Sequence, residues 1–296
     1  MSIRNNDERI GARDMGETTP PIPTTTETTE TTESAAAPAA PPMTFTTPTE
    51  LVDLPSKGKF YAKGHPLHNQ ETIEIRYMTA KDEDILTSKS LLKKGVAIDR
   101  FLQNIVVNKS IQIDDLMLGD KNALVIAARI TGYGSDYETS VTCPNCGTSN
   151  NHQFDLDAVE MTTVDDELPE FVEATADNTF LITVPRMNVP VECRLLTGKD
   201  EKALAQLEKN RKRLKLPETP MTDQFKRFIV SVNGVKEAPY IASFIDNMPA
   251  VDSRYLRKTY QQVVPNVDMK QEFACRECDF EQQMEVPFTS DFFWPK

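Results

Sequence analysis

The sequence predicts an α+β fold of two duplicated, mainly helical modules, each carrying a β-ribbon with a CxxC turn, behind a disordered N-terminal tail. Three observations lead there. Cys143-Pro144-Asn145-Cys146 and Cys275-Arg276-Glu277-Cys278 each interrupt a run of strand-like alternation. Landmarks ahead of the first pair recur in the same order ahead of the second. Residues 1–47 mix Thr, Pro, Glu and Ala with almost no aromatics, a composition that buries too little apolar surface to offset the entropy of ordering. The expected limits are therefore a tail over 1–47, a first module over 48–160 and a second over 161–296.

Folded structure is expected from about Thr49-Glu50-Leu51-Val52 onward. Gly58-Lys59 lacks the first glycine and the strand–loop–helix setting of a phosphate loop, so it reads as a turn with exposed lysines. His65 and His68 flank a proline in a loop rather than sharing a helix face, which argues against ligation by either. Glu71–Met78 alternates as a strand. Thr79 then serves as an N-cap, and Asp82, Glu83 and Asp84 fall in the first helical turn, where they complement the positive helix end without any catalytic role. Helices are expected over about 80–92, 96–106 and 120–131, the last opened by Gly119-Asp120 and closed by Gly132-Tyr133-Gly134. A strand over Tyr137–Thr142 enters the first CxxC, and His152–Leu156 leaves it.

The second half repeats this order. Arg76–Leu86 aligns without gaps on Arg194–Leu204 and matches at six of eleven positions. Asp99-Arg100-Phe101 answers to Asp223-Gln224-Phe225, and the helix at 120–131 answers to Asp252–Tyr260, again read as capped by Asp. Lys270–Ala274 then leads into the second CxxC. The offset between copies grows from 118 to 124 to 132, so the second copy carries two small insertions, one of them the basic stretch Lys209–Arg213. Residues 160–178 form an acidic connector. The basic stretch is a solvated helix face or a contact for an acidic partner.

Cys143, Cys146, Cys275 and Cys278 together read as one four-thiolate structural zinc site. Each CxxC turn brings two sulfurs within bite of one ion, and neighbouring N–H groups can point at the thiolates. Gly147 suits the positive φ of such a turn, and Asp279 takes the equivalent place as one of the few other residues that tolerate it. In a local zinc ribbon the pairs lie about 15–20 residues apart. Here they lie far apart in the chain, and a pseudo-twofold pairing of duplicated modules would bring them together into a shared zinc-ribbon-like site. A redox CxxC would want a helix beginning at its second cysteine, whereas Thr148-Ser149-Asn150-Asn151 reads as a turn and strand; a pair of reduced thiol turns is the remaining alternative. Cys193, the fifth cysteine, falls on a strand as a small buried apolar residue.

A net charge of −12 and a pI near 4.9 argue against wrapping nucleic acid through its phosphates. No transmembrane stretch and no signal-peptide core is legible, so the chain is expected to remain in the cytoplasm where it is made, with its thiols reduced. No nucleophile–base pair or glycine-rich cofactor loop appears, and four sulfurs leave a metal no open position; the expectation is a non-enzyme. Two classes remain, a zinc-dependent nucleic-acid-binding module and a protein-interaction or assembly factor.

Leu54–Tyr61, Tyr77–Leu86, Gly119-Asp120, Arg129–Gly134 and Cys143–Cys146 resemble the baseplate hub protein family of T-even-type myophages. The likeness covers about residues 50–155 well and the second half weakly, and none of its motifs is catalytic. It implies a hub subunit or hub assembly chaperone, with other phage baseplate hub proteins as partners. The implied places are the host cytoplasm during assembly and, for a subunit, the baseplate of the virion tail.

Overall fold

The computed structural model describes residues 46–163, 168–169, 171–287 and 292–293. Except for Thr46 and Thr47, the expected tail lies outside the described residues, as does the acidic run at 164–167. Among the described residues are eight α-helices and twelve short strands.

Strand β1 (Thr49–Asp53) pairs antiparallel with β2 (Thr72–Arg76). Instead of one helix over 80–92 there are two, α1 (Ala80–Thr87) and α2 (Lys89–Lys94), because Ser88 takes an extended conformation with ψ of 107° and restarts the helix. After α3 (Ala97–Ile105) the chain returns Val106 to a bridge with Ile75. Then come α4 (Leu118–Tyr133) and a hairpin of β3 (Asp136–Thr142) and β4 (Ser149–Asp155).

The expected connector contains β5 (Glu160–Thr162) and β6 (Val172–Ala174). Strands β7 (Phe180–Val184) and β8 (Val189–Cys193) follow, then α5 (Gly198–Leu214), α6 (Pro220–Phe228) and β9 (Ile229–Val232), and the sheet order is β6-β7-β8-β9. Helices α7 (Ala238–Asn247) and α8 (Ala250–Val263) lead to β10 (Asn266–Asp268), which pairs with β5. A last hairpin joins β11 (Lys270–Ala274) to β12 (Glu281–Glu285).

In β2, β3, β7 and β11 alternation places one face inward, and the buried residues gather in two cores. The first includes Val52, Ile75, Phe101, Leu124, Tyr137 and Phe154, and it also takes Val267, Phe273, Val286 and Phe292. The second gathers Phe180, Val191, Phe228, Leu256 and Tyr260. The apolar side of the β11–β12 hairpin thus packs with the first core, although its residues follow the second in the chain.

The two cores are stitched at the starts of α4 and α5. Leu118 N–H donates to the Leu196 carbonyl and Gly198 N–H to the Leu116 carbonyl, each at 3.0 Å. Beside them Lys121 bridges Asp99 at 2.8 Å and Glu201 at 2.6 Å, while Lys202 reaches Asp99 at 3.0 Å and Asp114 at 2.5 Å.

Neither Asp120 nor Asp252 caps a helix as expected. Helix α4 begins at Leu118 and α8 at Ala250, which puts each aspartate at the third helical position, fully buried. A carboxylate there must find donors or bear a large desolvation cost. Asp120 accepts from Ser56 N–H at 3.0 Å, Ser56 Oγ at 2.6 Å and Tyr61 O–H at 2.7 Å. Asp252 accepts from the N–H groups of Arg186 and Met187 at 2.7 and 2.9 Å. Asp120 therefore ties α4 to the loop between β1 and β2, and Asp252 ties α8 to the loop between β7 and β8.

Candidate metal centre

The two CxxC turns sit at the tips of the β3–β4 and β11–β12 hairpins. In the first, Cys143 N–H donates to the Thr148 carbonyl and Gly147 N–H to the Cys143 carbonyl, both at 2.9 Å. In the second, Cys275 N–H donates to the Phe280 carbonyl at 2.9 Å. Gly147 and Asp279 both take positive φ, 73° and 51°, as the sequence led us to expect.

The hairpins face one another through a shared underside. His152 stands edge-on to Phe154 and Phe273, with centroids 4.5 and 5.3 Å away. Gln271 accepts from Asp155 N–H at 3.0 Å and donates to the Asp155 carbonyl. Tyr137 O–H donates to the Pro287 carbonyl at 3.0 Å. These contacts fix the spacing of the two tips.

All four sulfurs expected as ligands are brought together, within 4.8 Å of one another. The close pairs are crossed: Cys143 Sγ lies 3.8 Å from Cys278 Sγ, and Cys146 Sγ 3.7 Å from Cys275 Sγ. A disulfide would need about 2.05 Å. A tetrahedron with metal–sulfur bonds of about 2.3 Å has edges of about 3.8 Å, so the crossed pairs match two of its edges. Four sulfurs so placed could hold one metal ion.

Donors around the sulfurs favour thiolate. The Thr148 hydroxyl and backbone N–H hold Cys146 down to about 6, and the Glu277 N–H lowers Cys275. Cys278 receives the Asn145 amide, yet burial and the neighbouring sulfurs of Cys146 and Cys275 push it up to about 11. Four close sulfurs do not all ionise without a cation among them. Cys143 and Cys275 are buried, Cys278 is half-buried and Cys146 is exposed, so one corner of the site faces solvent.

Two contributors escaped the sequence reading. Asn145 Nδ2 donates to Cys278 Sγ and Asn150 Nδ2 to Cys275 Sγ, both at 3.5 Å, each reaching across from the first hairpin to the second. An amide inside or just after a CxxC turn was the available signal. The remaining candidates fall where the residues suggested. Cys193 is buried in β8, its thiol pushed up by burial. His65 Nδ1 accepts from Leu67 N–H, and His68 Nδ1 lies 2.7 Å from the Tyr61 carbonyl.

Compared with known proteins, residues 47–294 match the family model described as T4 bacteriophage base plate protein. No curated protein and no solved structure matches the chain.

Proposed function

The chain belongs to the T4 bacteriophage base plate protein family, and from that premise we propose that it serves in the central hub of the contractile-tail baseplate, as a hub subunit or hub assembly chaperone. It acts through protein–protein contacts, without catalysing a reaction, and a structural zinc ion bound by Cys143, Cys146, Cys275 and Cys278 holds its two hairpins together. The observation that carries the reading is the family match, which extends across both cores. Its places are the host cytoplasm during assembly and the virion tail. Among the described residues no helix is long and apolar enough to cross a membrane.

The zinc assignment rests on the four-sulfur donor set and the crossed spacings of 3.7 and 3.8 Å; soft thiolates select zinc over hard cations. We also read the fold as an internal duplication. Arg76 grips Asp82 through two bonds of 2.7 and 2.9 Å, as Arg194 grips Asp200 through two of 2.7 Å. Both aspartates also accept from a threonine N–H and O–H, of Thr79 and Thr197. A twofold operation exchanging Cys143 with Cys275 and Cys146 with Cys278 carries one crossed sulfur contact onto the other, which supports a pseudo-dyad through the metal.

The test is capture of partners by the tagged chain from infected cells, beside metal analysis and duplex-DNA retention by the purified chain. The expected result is hub proteins in the eluate and about one zinc per chain. Micromolar DNA binding that weakens steeply between about 50 and 200 mM salt would turn the reading towards the nucleic-acid module.

A further inference from the structure

Helix α5 runs for 17 residues, yet among them only Gly198 and Asp200 in its first turn are buried. Most helical stability comes from packing an apolar face, and here Leu207 and Leu214 are exposed, as are Leu216 and Met221 just beyond. Residues 209–215 hold five cations and no acid. Arg211 is paired with Asp223, and Lys212 with Glu208 and Glu218. Among the described residues Lys209, Arg213 and Lys215 have no carboxylate within 4.0 Å.

The opposite arrangement exists on the β11–β12 hairpin. Residues 268–285 carry six carboxylates against two cations, Lys270 and Arg276. The register sets Lys270 opposite Glu285, Glu272 opposite Gln283 and Ala274 opposite Glu281, so Glu272, Glu281 and Glu285 share one exposed face. A groove of about 440 Å³ opens there, lined by His152, Glu272, Phe273, Ala274 and Glu281 among others.

We propose that the cationic end of α5 docks on the acidic face of the β11–β12 hairpin of a second copy of this chain, joining copies head to tail. Unpaired cations beside Leu214 meet carboxylates beside an open groove, so charge and apolar surface are complementary together. The chain's overall charge of −12 disfavours a polyanion as the occupant, because a long polyanion would also meet the acidic remainder. The two surfaces differ, so the contact is heterologous and builds rings or chains rather than a closed dimer. This contact is independent of the hub assignment: metal content and partner capture report on that reading, oligomeric state on this one.

The experiment is sedimentation velocity of the full zinc-loaded chain at about 50 mM salt and at about 1 M, where the Debye length falls to roughly 3 Å. Association at low salt that is lost at high salt is expected. Lys209→Glu/Arg213→Glu and Glu272→Lys/Glu281→Lys should each weaken it by about tenfold or more, while an equal mixture of the two variants should associate again. Lys215→Glu with Glu285→Lys provides a second reversal pair, and circular dichroism checks the fold of all four. A chain that stays monomeric at low salt, association indifferent to both pairs of reversals, or a monomer whose cations instead retain duplex DNA overturns the proposal.

Discussion

Asp82, Asp120, Asp200 and Asp252 each occupy the third position of a helix and have little or no exposure. The sequence suggested dipole complements and caps; Thr79 is the N-cap of α1 as expected, whereas its two bonds to Asp82 were not foreseen. The grip of Asp82 by Arg76 and Asn104, and that of Asp120 by Ser56 64 positions earlier, join residues that only the fold brings together. Burial of the Asp82 carboxyl raises its pKa, but Arg76 and Thr79 more than offset this and hold it down to about 2. A folded-state pKa below the unfolded value of about 4 means stability that is present above pH 4 and lost as pH falls through 2. Asp82→Ala should therefore cost about 2–3 kcal/mol at neutral pH, from lost bonds to charged groups, and its urea midpoint should converge on that of the unmodified chain near pH 2. Asp120 works the other way: burial raises its pKa, so its protonated form is favoured by folding and its contribution to stability declines as pH rises. Asp120→Ala, which strands the Tyr61 hydroxyl and Ser56 N–H, should lower the urea midpoint at neutral pH by more than Asp120→Asn.

At the scale of elements, strands and hairpins were more legible than helix ends. Period-two alternation in Glu71–Met78 and Lys270–Ala274, and glycine or aspartate at the positive-φ turn positions, are local signals. The break at Ser88 and the start of α4 at Leu118 depend on what the helices pack against. Gly119 shows this dependence most directly. A Cβ there would lie 2.0 Å from the Pro265 carbonyl oxygen, which is backbone of the chain entering β10. Gly119→Ala should lower stability by about 2–3 kcal/mol through overpacking, although alanine favours a helix interior by about 1 kcal/mol. Gly132→Ala, in the same helix, meets only the flexible end of Met78, and its thermal midpoint should stay close to that of the unmodified chain. Equal losses for the two glycines would contradict this account of the α4–β10 junction.

At the scale of the molecule, the four sulfurs were legible as a set because two CxxC turns in one chain are rare without a shared task. Their crossed pairing and the packing of β11–β12 with the first core were not, because both depend on contacts among residues separated by more than a hundred positions. Chelation should therefore have a regional effect. Hydrogen exchange after treatment with a zinc chelator is expected to speed up in 136–155 and 266–287, while 180–232, whose sheet belongs to the second core, keeps its protection. Uniform acceleration would mean that the ion supports both cores equally. Cys146 and Cys275 stand 129 positions apart, so any ion held by the four sulfurs would also depend on the order of synthesis. A nascent chain that has not reached Cys275 carries half of the four-sulfur set, however well its earlier helices have formed. A metal ion bound by all four sulfurs would then be held only by chains that carry both hairpins.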